Sequence, residues 1–132
     1  MNIFSILIPK GNLTYINCED FLNDAVECLM ASGYTAVPVI DDKGCYFGII
    51  AEGDFLRVIM EQGKESLETL KVGDIIKRDT EGFVLNTVSK EEVYEKILDR
   101  NFLSVVDDRS CFIGMITRKS VILDLNPSHI NN

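Results

Sequence analysis

No apolar run in this chain approaches the roughly 20 residues that a membrane-spanning helix requires. The apolar start, Ile3 to Ile8, stops at Pro9 and is expected to be neither an anchor nor a secretory signal. The four cysteines, Cys18, Cys28, Cys45 and Cys111, form no C-x-x-C pair and follow no leader. That pattern predicts reduced thiols in a cytoplasmic protein, used as small hydrophobes in a core. Basic residues are scarce, 13 against 21 acidic ones, giving a net charge of −8. Such a surface repels nucleic acid and anionic membranes, so an anionic ligand needs a local basic pocket. The single histidine, His129, lies in a polar tail with no serine or thiol motif beside it, and reads as a surface residue. No phosphate-loop, dinucleotide-binding, zinc-protease or nucleophile-elbow pattern occurs. No catalytic residue can therefore be named, and an enzyme is not expected.

What is present is an ordinary globular balance, 46% apolar and 26% charged in 132 residues, enough for one domain with a real core. The chain also repeats itself. Val39 to Leu56 aligns with Val105 to Ile122 at an offset of 66, with identities at Val39/Val105, Asp41/Asp107, Asp42/Asp108, Cys45/Cys111, Gly48/Gly114 and Ile50/Ile116. Upstream the offset is 68, pairing Tyr15/Phe83, Ile16/Val84, Ala25/Val93, Leu29/Ile97 and Tyr34/Phe102. The two-residue loss falls near Pro38. A fainter echo pairs Ile3, Ile6 and Leu7 with Val72, Ile75 and Ile76, each read as an apolar turn entering its own copy. The period is too long for a solenoid and suits twofold pseudo-symmetry. The copies are bounded as residues 1–62 and 72–125, with a polar surface connector at 63–71 and a tail at 126–132, the pair forming one intertwined module.

Within each copy the hydrophobic period alternates. Leu13 to Ile16 predicts a short strand. Leu22, Ala25, Val26, Leu29 and Met30 predict a helix ending at Gly33. Ala36 to Ile40 and Tyr46 to Ile50 predict a hairpin across Asp41-Asp42-Lys43-Gly44. Phe55, Leu56, Ile59 and Met60 predict a second helix. The second copy repeats this with Ser89 to Glu92 as a capping box, then Val93, Tyr94, Ile97 and Leu98, and finally Val121, Ile122 and Leu125. Each copy is thus β-α-β-β-α, and the class is α/β (α+β).

The acid pairs Asp41/Asp42 and Asp107/Asp108 invite a metal or acid–base reading. Their place in hairpin turns, where Asp hydrogen-bonds nearby backbone, predicts a structural role. No metal is expected. The chemical signal lies instead at Gly114 to Lys119, where a strand gives way to a helix. Thr117 is placed as N-cap, leaving free backbone N–H groups at a helix start that attracts phosphate. Arg118 and Lys119 add full charges beside it. In the first copy Ala51, Glu52 and Gly53 stand at those columns, and Glu52 would repel phosphate.

Two such copies, with GYTAVPVIDD at Gly33 to Asp42 and GMIT at Gly114 to Thr117, are similar to a pair of CBS motifs, the Bateman module. The resemblance covers about residues 3 to 125. It implies motifs packed through their sheets, adenine nucleotides bound in the clefts between them, and flat homodimers. The chain most resembles the short stand-alone cyclic di-AMP-binding CBS proteins of Firmicutes. By that resemblance Tyr34, Thr35 and Ala36, with Val37 and Pro38 following, hold adenine or ribose. Asn12, Leu13 and Thr14 face the adenine edge, with Asn12 where those relatives carry a basic residue. Thr117, Arg118 and Lys119 take phosphate. Many family members place an Asp that binds a ribose two residues beyond the Thr–x; here the second copy has Ser120, which suits a ligand whose 3′-oxygen is esterified. Asp54 keeps that Asp in the first copy as a second, weaker site. One principal ligand per chain is expected, cyclic di-AMP, or alternatively AMP or ATP. The resemblance also implies a protein partner, such as a metabolic or stringent-response enzyme, engaged according to occupancy. A ligand-independent dimerisation scaffold is the reading of another class.

Overall fold

A computed structural model describes residues 3–126, and within that range the duplicated order of elements is plain. The first copy runs β2 (Ile16–Asn17), α1 (Leu22–Ser32), β3 (Ala36–Ile40), β4 (Tyr46–Ala51) and α2 (Glu52–Gln62). The second runs β5 (Phe83–Leu85), α5 (Lys90–Ile97), β6 (Phe102–Val106), β7 (Phe112–Thr117) and α6 (Arg118–Leu125). Between them lie two short helices, α3 (Ser66–Thr69) and α4 (Val72–Ile75), and ahead of both is β1 (Ile8–Pro9). In each copy a parallel pair is followed by an antiparallel one: Ile16 opposes Val39 and Val84 opposes Val105, the equivalent residues. The antiparallel pairs carry a register shift at the same step, Val39/Ile40 and Val105/Val106. The tail beyond Asn126, with His129, lies outside the described residues.

The chain divides into two compact units, and these exchange their lead-in segments. Thr14–Thr80 forms one unit; Met1–Leu13 joins Glu81–Asn132 in the other. The expectation that each apolar turn enters its own copy is therefore corrected. Ile3 and Ile6 are buried with Val84, Val93, Ile97, Leu103, Val105, Ile116 and Val121 of the second copy. Val72, Ile75 and Ile76 pack with the first-copy core around Ile16, Leu22, Leu29, Val37, Val39, Ile50 and Phe55. The exchange has a backbone cause. β1 adds to the free edge of β7, Ile8 opposite Met115 and Pro9 opposite Gly114, and completes a four-stranded sheet β1-β7-β6-β5. The first copy receives residues 77–79 in the same manner, Asp79 N–H donating to Phe47 O at 2.8 Å. The connector is also more than surface: Leu67 and Leu70 pack against the first-copy core, and Leu22 N–H donates to Leu70 O at 2.9 Å.

Local chemistry follows the sequence closely. Gly33 ends α1 in the left-handed conformation, φ 78°. Asp41 Oδ1 accepts from the N–H groups of Lys43 and Cys45, both at 2.9 Å, and Asp107 Oδ1 does the same for Arg109 and Cys111. Asp41 and Asp107, the first member of each acid pair, are thus turn formers. Burial pushes the Cys18 thiol up, with the Glu19, Asp41 and Asp42 carboxylates adding to it, so it stays protonated at neutral pH. All four cysteines are outside disulfides and half-buried. No helix among the described residues is long and apolar enough to cross a membrane.

Among the described residues the one non-glycine position at positive φ is Ser110 of the second hairpin turn, at φ 66°, where the first copy has Gly44 at φ 81°. A side chain in that region costs about 1 kcal/mol that glycine avoids. Ser110→Gly is expected to raise the melting temperature by a few degrees, read by differential scanning calorimetry.

Arg78 clasps the exchanged segment to the first hairpin. Its guanidinium donates to Tyr46 O at 2.9 Å and Asp41 Oδ2 at 3.1 Å, and lies 4.8 Å from the Phe47 ring centre. Partial burial raises the Asp41 carboxyl, but the N–H donors and Arg78 outweigh it and hold the group below the ordinary carboxylate value. Its stabilisation is therefore complete above the unfolded value near pH 4 and fades as the pH falls through the depressed native one. Asp41→Asn keeps the turn acceptor and loses the ion pair. The wild-type advantage in melting temperature should persist from pH 7 to 5 and fade progressively below about pH 4, as the carboxyl protonates in the folded state.

Candidate functional site

α6 begins where the sequence places it. Thr117 is the N-cap: Ser120 N–H donates to Thr117 Oγ1 at 3.0 Å, Thr117 N–H donates to Ser120 Oγ at 3.0 Å, and Ser120 Oγ–H donates to Thr117 O at 2.9 Å. This reciprocal box fixes the first turn and leaves the side chains of Arg118 and Lys119 exposed beside it. In the first copy Asp54 plays the Ser120 part. Its Oδ2 accepts from Ala51 N–H at 2.8 Å, and its Oδ1 pairs with Arg57 at 3.3 Å. Both oxygens of the candidate ribose ligand are thus engaged in capping and in an ion pair. The column that separates Asp54 from Ser120 is a helix-capping column in this chain.

Arg118 has an attachment that side-chain patterns do not reveal. Nε donates to Ile97 O at 3.0 Å and Nη2 to Leu98 O at 2.8 Å, the carbonyls at the end of α5. Helix C-termini leave such carbonyls without intrahelical partners, and a cation there is favourable. Lys119 therefore offers the more accessible charge at the α6 start, and the remaining Arg118 N–H groups supplement it. Deeper between α5 and α6, the buried Lys90 donates to Asp124 Oδ2 at 3.0 Å, and Tyr94 O–H donates to the same oxygen at 3.4 Å. Sequence reasoning missed this cluster, because Lys90 reads there as the second residue of a capping box. A groove of about 460 Å³ opens over these helices, lined by Tyr94, Leu98, Arg118, Val121, Ile122 and Leu125 among others.

The remaining candidates fall in both units. Asn12 and Leu13 belong with Thr117, Arg118 and Lys119; Thr14, Tyr34, Thr35, Ala36, Val37, Pro38 and Asp54 belong to the other unit. Asn12 ends a 3-10 turn, Lys10–Asn12, and is exposed, while Leu13 and Thr14 are half-buried. Tyr34 is 60% exposed, its ring free of the core, and its N–H donates to Ser32 Oγ at 3.0 Å. Thr35 O accepts from Glu52 N–H at 3.0 Å, and Ala36 opposes Ala51 across the sheet. The structure therefore gathers Tyr34, Thr35 and Ala36 at the end of the sheet where α2 starts. The side chain of Val37 is in the hydrophobic core and Pro38 is buried, so Val37 can meet a ligand only through its backbone. Among the described residues no group of three or more His, Cys, Asp or Glu side chains is placed to hold a metal.

Comparison with known proteins supports the fold. Residues 6–61 match the CBS domain family. Cyclic di-AMP receptor B of Bacillus subtilis (strain 168) is 24% identical over 129 residues, 96% of this chain and 86% of the relative. The crystal structure of the Listeria monocytogenes CbpB protein in complex with c-di-AMP superposes with a TM-score of 0.84 at 24% identity, covering 98% of both chains. That of CBSX2 in complex with AMP gives 0.77 at 24% identity, covering 99% and 98%. The first copy is thus matched as a CBS domain, and the chain, its second copy related to the first column by column, has the tandem CBS fold of these structures.

Proposed function

We propose that this protein is a regulatory receptor for cyclic di-AMP, cytoplasmic and not catalytic, that engages a protein partner differently with and without its ligand. The observation that carries the reading is the capped, doubly basic start of α6 on a chain of net charge −8. Thr117, Arg118 and Lys119 are assigned to phosphate; Tyr34, Thr35 and Ala36, with Asn12, Leu13, Thr14 and the backbone of Val37 and Pro38, are assigned to adenosine. Glu52 at the matching start of α2 disfavours a second phosphate site, so one ligand per chain is expected. Relatives of the same length and fold that carry or are named for cyclic di-AMP support the choice.

AMP is the second reading, favoured by the AMP complex of CBSX2. Asp54 would then hold the ribose through the lone pairs that Ala51 N–H and Arg57 leave open. Homodimer formation is supported by apolar helix residues uncovered within each unit: Leu56 and Met60 on α2, Ile122 and Leu125 on α6. Melting with each nucleotide tests the ligand, since a ligand at 100 times its Kd stabilises by about 2.7 kcal/mol. Cyclic di-AMP should raise the melting temperature by several degrees, with AMP and ATP at equal concentration giving much less. A shift with AMP alone transfers the assignment to the second reading.

A further inference from the structure

We infer that Arg118 is a latch: phosphate arriving at the start of α6 draws its guanidinium off the end of α5, so that nucleotide occupancy is transmitted to the α5/α6 groove. The inference rests on the nucleotide reading above and adds the route by which occupancy reaches a surface. In the structure the guanidinium holds Ile97 O and Leu98 O at 3.0 and 2.8 Å. It is also the residue next to the Thr117 N-cap. One cation thus serves both the end of one helix and the start of another. An Arg–phosphate contact joins two full charges and is frequently bidentate, whereas the bonds to Ile97 O and Leu98 O join the guanidinium to neutral carbonyls. Of the carbonyls left behind, that of Leu98 belongs to a residue 75% exposed, where water replaces the donor, and Ile97 O also accepts from Arg100 N–H at 3.4 Å.

Release would be local. The Lys90 and Tyr94 bonds to Asp124, at 3.0 and 3.4 Å, keep α5 and α6 together on the side away from the latch. The turn that follows α5 has weaker ties: Asp99 N–H reaches Lys96 O at 3.3 Å and Arg100 N–H reaches Ile97 O at 3.4 Å. Leu98 forms one wall of the groove with Tyr94, Ile122 and Leu125, so freeing that turn changes the apolar surface presented there. Glu52 occupies the matching column of the first copy, which makes the latch one-sided.

Hydrogen exchange on the full chain tests this, with cyclic di-AMP saturating for each variant and occupancy verified by calorimetry in the same buffer. In the wild type, ligand should speed exchange of the Asp99 and Arg100 amides by about fivefold or more. Arg118→Lys keeps the charge without the fork, so those amides should be fast before ligand and unchanged after it. Arg118→Ala, if folded by circular dichroism, should match that ligand-free behaviour. Unchanged or slowed exchange in a saturated wild type overturns the latch while leaving the receptor reading intact. A calorimetric titration without heat or melting shift overturns the receptor reading, and the latch with it.

Discussion

Replacing Arg118 and Lys119 together by alanine is expected to lower the affinity for cyclic di-AMP by at least about 100-fold, two charge-assisted contacts being worth roughly 1.5–3 kcal/mol each. The melting temperature should fall little, because both side chains are exposed and only the α5 cap is lost. Lys119→Ala alone separates the two residues. Lys119 makes the ligand contact without capping α5, so its loss should appear in affinity and leave stability unchanged. Lys64→Ala, an exposed charge on the first-copy unit, is the control for a general electrostatic effect and should bind as the wild type does. A scaffold that needs no nucleotide would show no difference among the four proteins in any property.

Gly114→Ala is expected to be among the most destabilising single substitutions in the chain, while Gly48→Ala at the equivalent column is expected to be mild. A methyl group at Gly114 would overlap the Ile8 carbonyl oxygen and press on the Leu7 side chain. The pairing of β1 with β7 must then break, and with it the seating of Ile3 and Ile6, which are fully buried in that unit. Exposing two such side chains and straining the sheet edge costs about 3 kcal/mol or more. At Gly48 the nearest atom is Lys77 O at 3.5 Å, an ordinary contact, so the change should stay below about 1 kcal/mol. Urea unfolding of the two variants gives the comparison. Equal losses would mean that the edge pairing contributes nothing special to the second unit.

The contrast between these glycines shows where the sequence is informative. Both belong to identical columns of the repeat, and both precede strand residues that fold as expected. The repeat, the β-α-β-β-α order, the Asp turns and the Thr117 cap were legible because each rests on local chemistry: a period, a side-chain acceptor two residues from its donor, an N-cap three residues from its partner. The exchange of lead-in segments was not. Ile3, Ile6 and Leu7 look like Val72, Ile75 and Ile76, and similarity cannot say which free sheet edge each will join. That choice is made by long-range backbone pairing, which leaves no mark on the residues involved.

The candidate site divides in the same way. The positions of Thr117 and Lys119 could be read because strand ends and helix starts are legible, whereas Tyr34, Thr35 and Ala36 were singled out only through the family resemblance. The engagement of Arg118 could not be read, since its acceptors are backbone carbonyls and any residues could supply them. Met30, Leu56, Met60, Leu98, Ile122 and Leu125 fit the helical period, yet all are exposed. The period reports that a helix face is apolar; it does not say what covers it. In copy one Phe55 and Val58 are buried in the first-copy core, and in copy two Val121 is buried in the second. The uncovered stripe alongside is the part of the pattern that the chain itself does not use.

The claim at the centre of this account is that the duplicated scaffold carries a single phosphate-binding helix start. Titration calorimetry of the full chain with cyclic di-AMP, and with AMP in parallel, measures it most directly. The account predicts saturable binding at one cyclic di-AMP per chain and much weaker binding of AMP. Two equivalent sites per chain, or AMP bound tightly with no response to cyclic di-AMP, would contradict it.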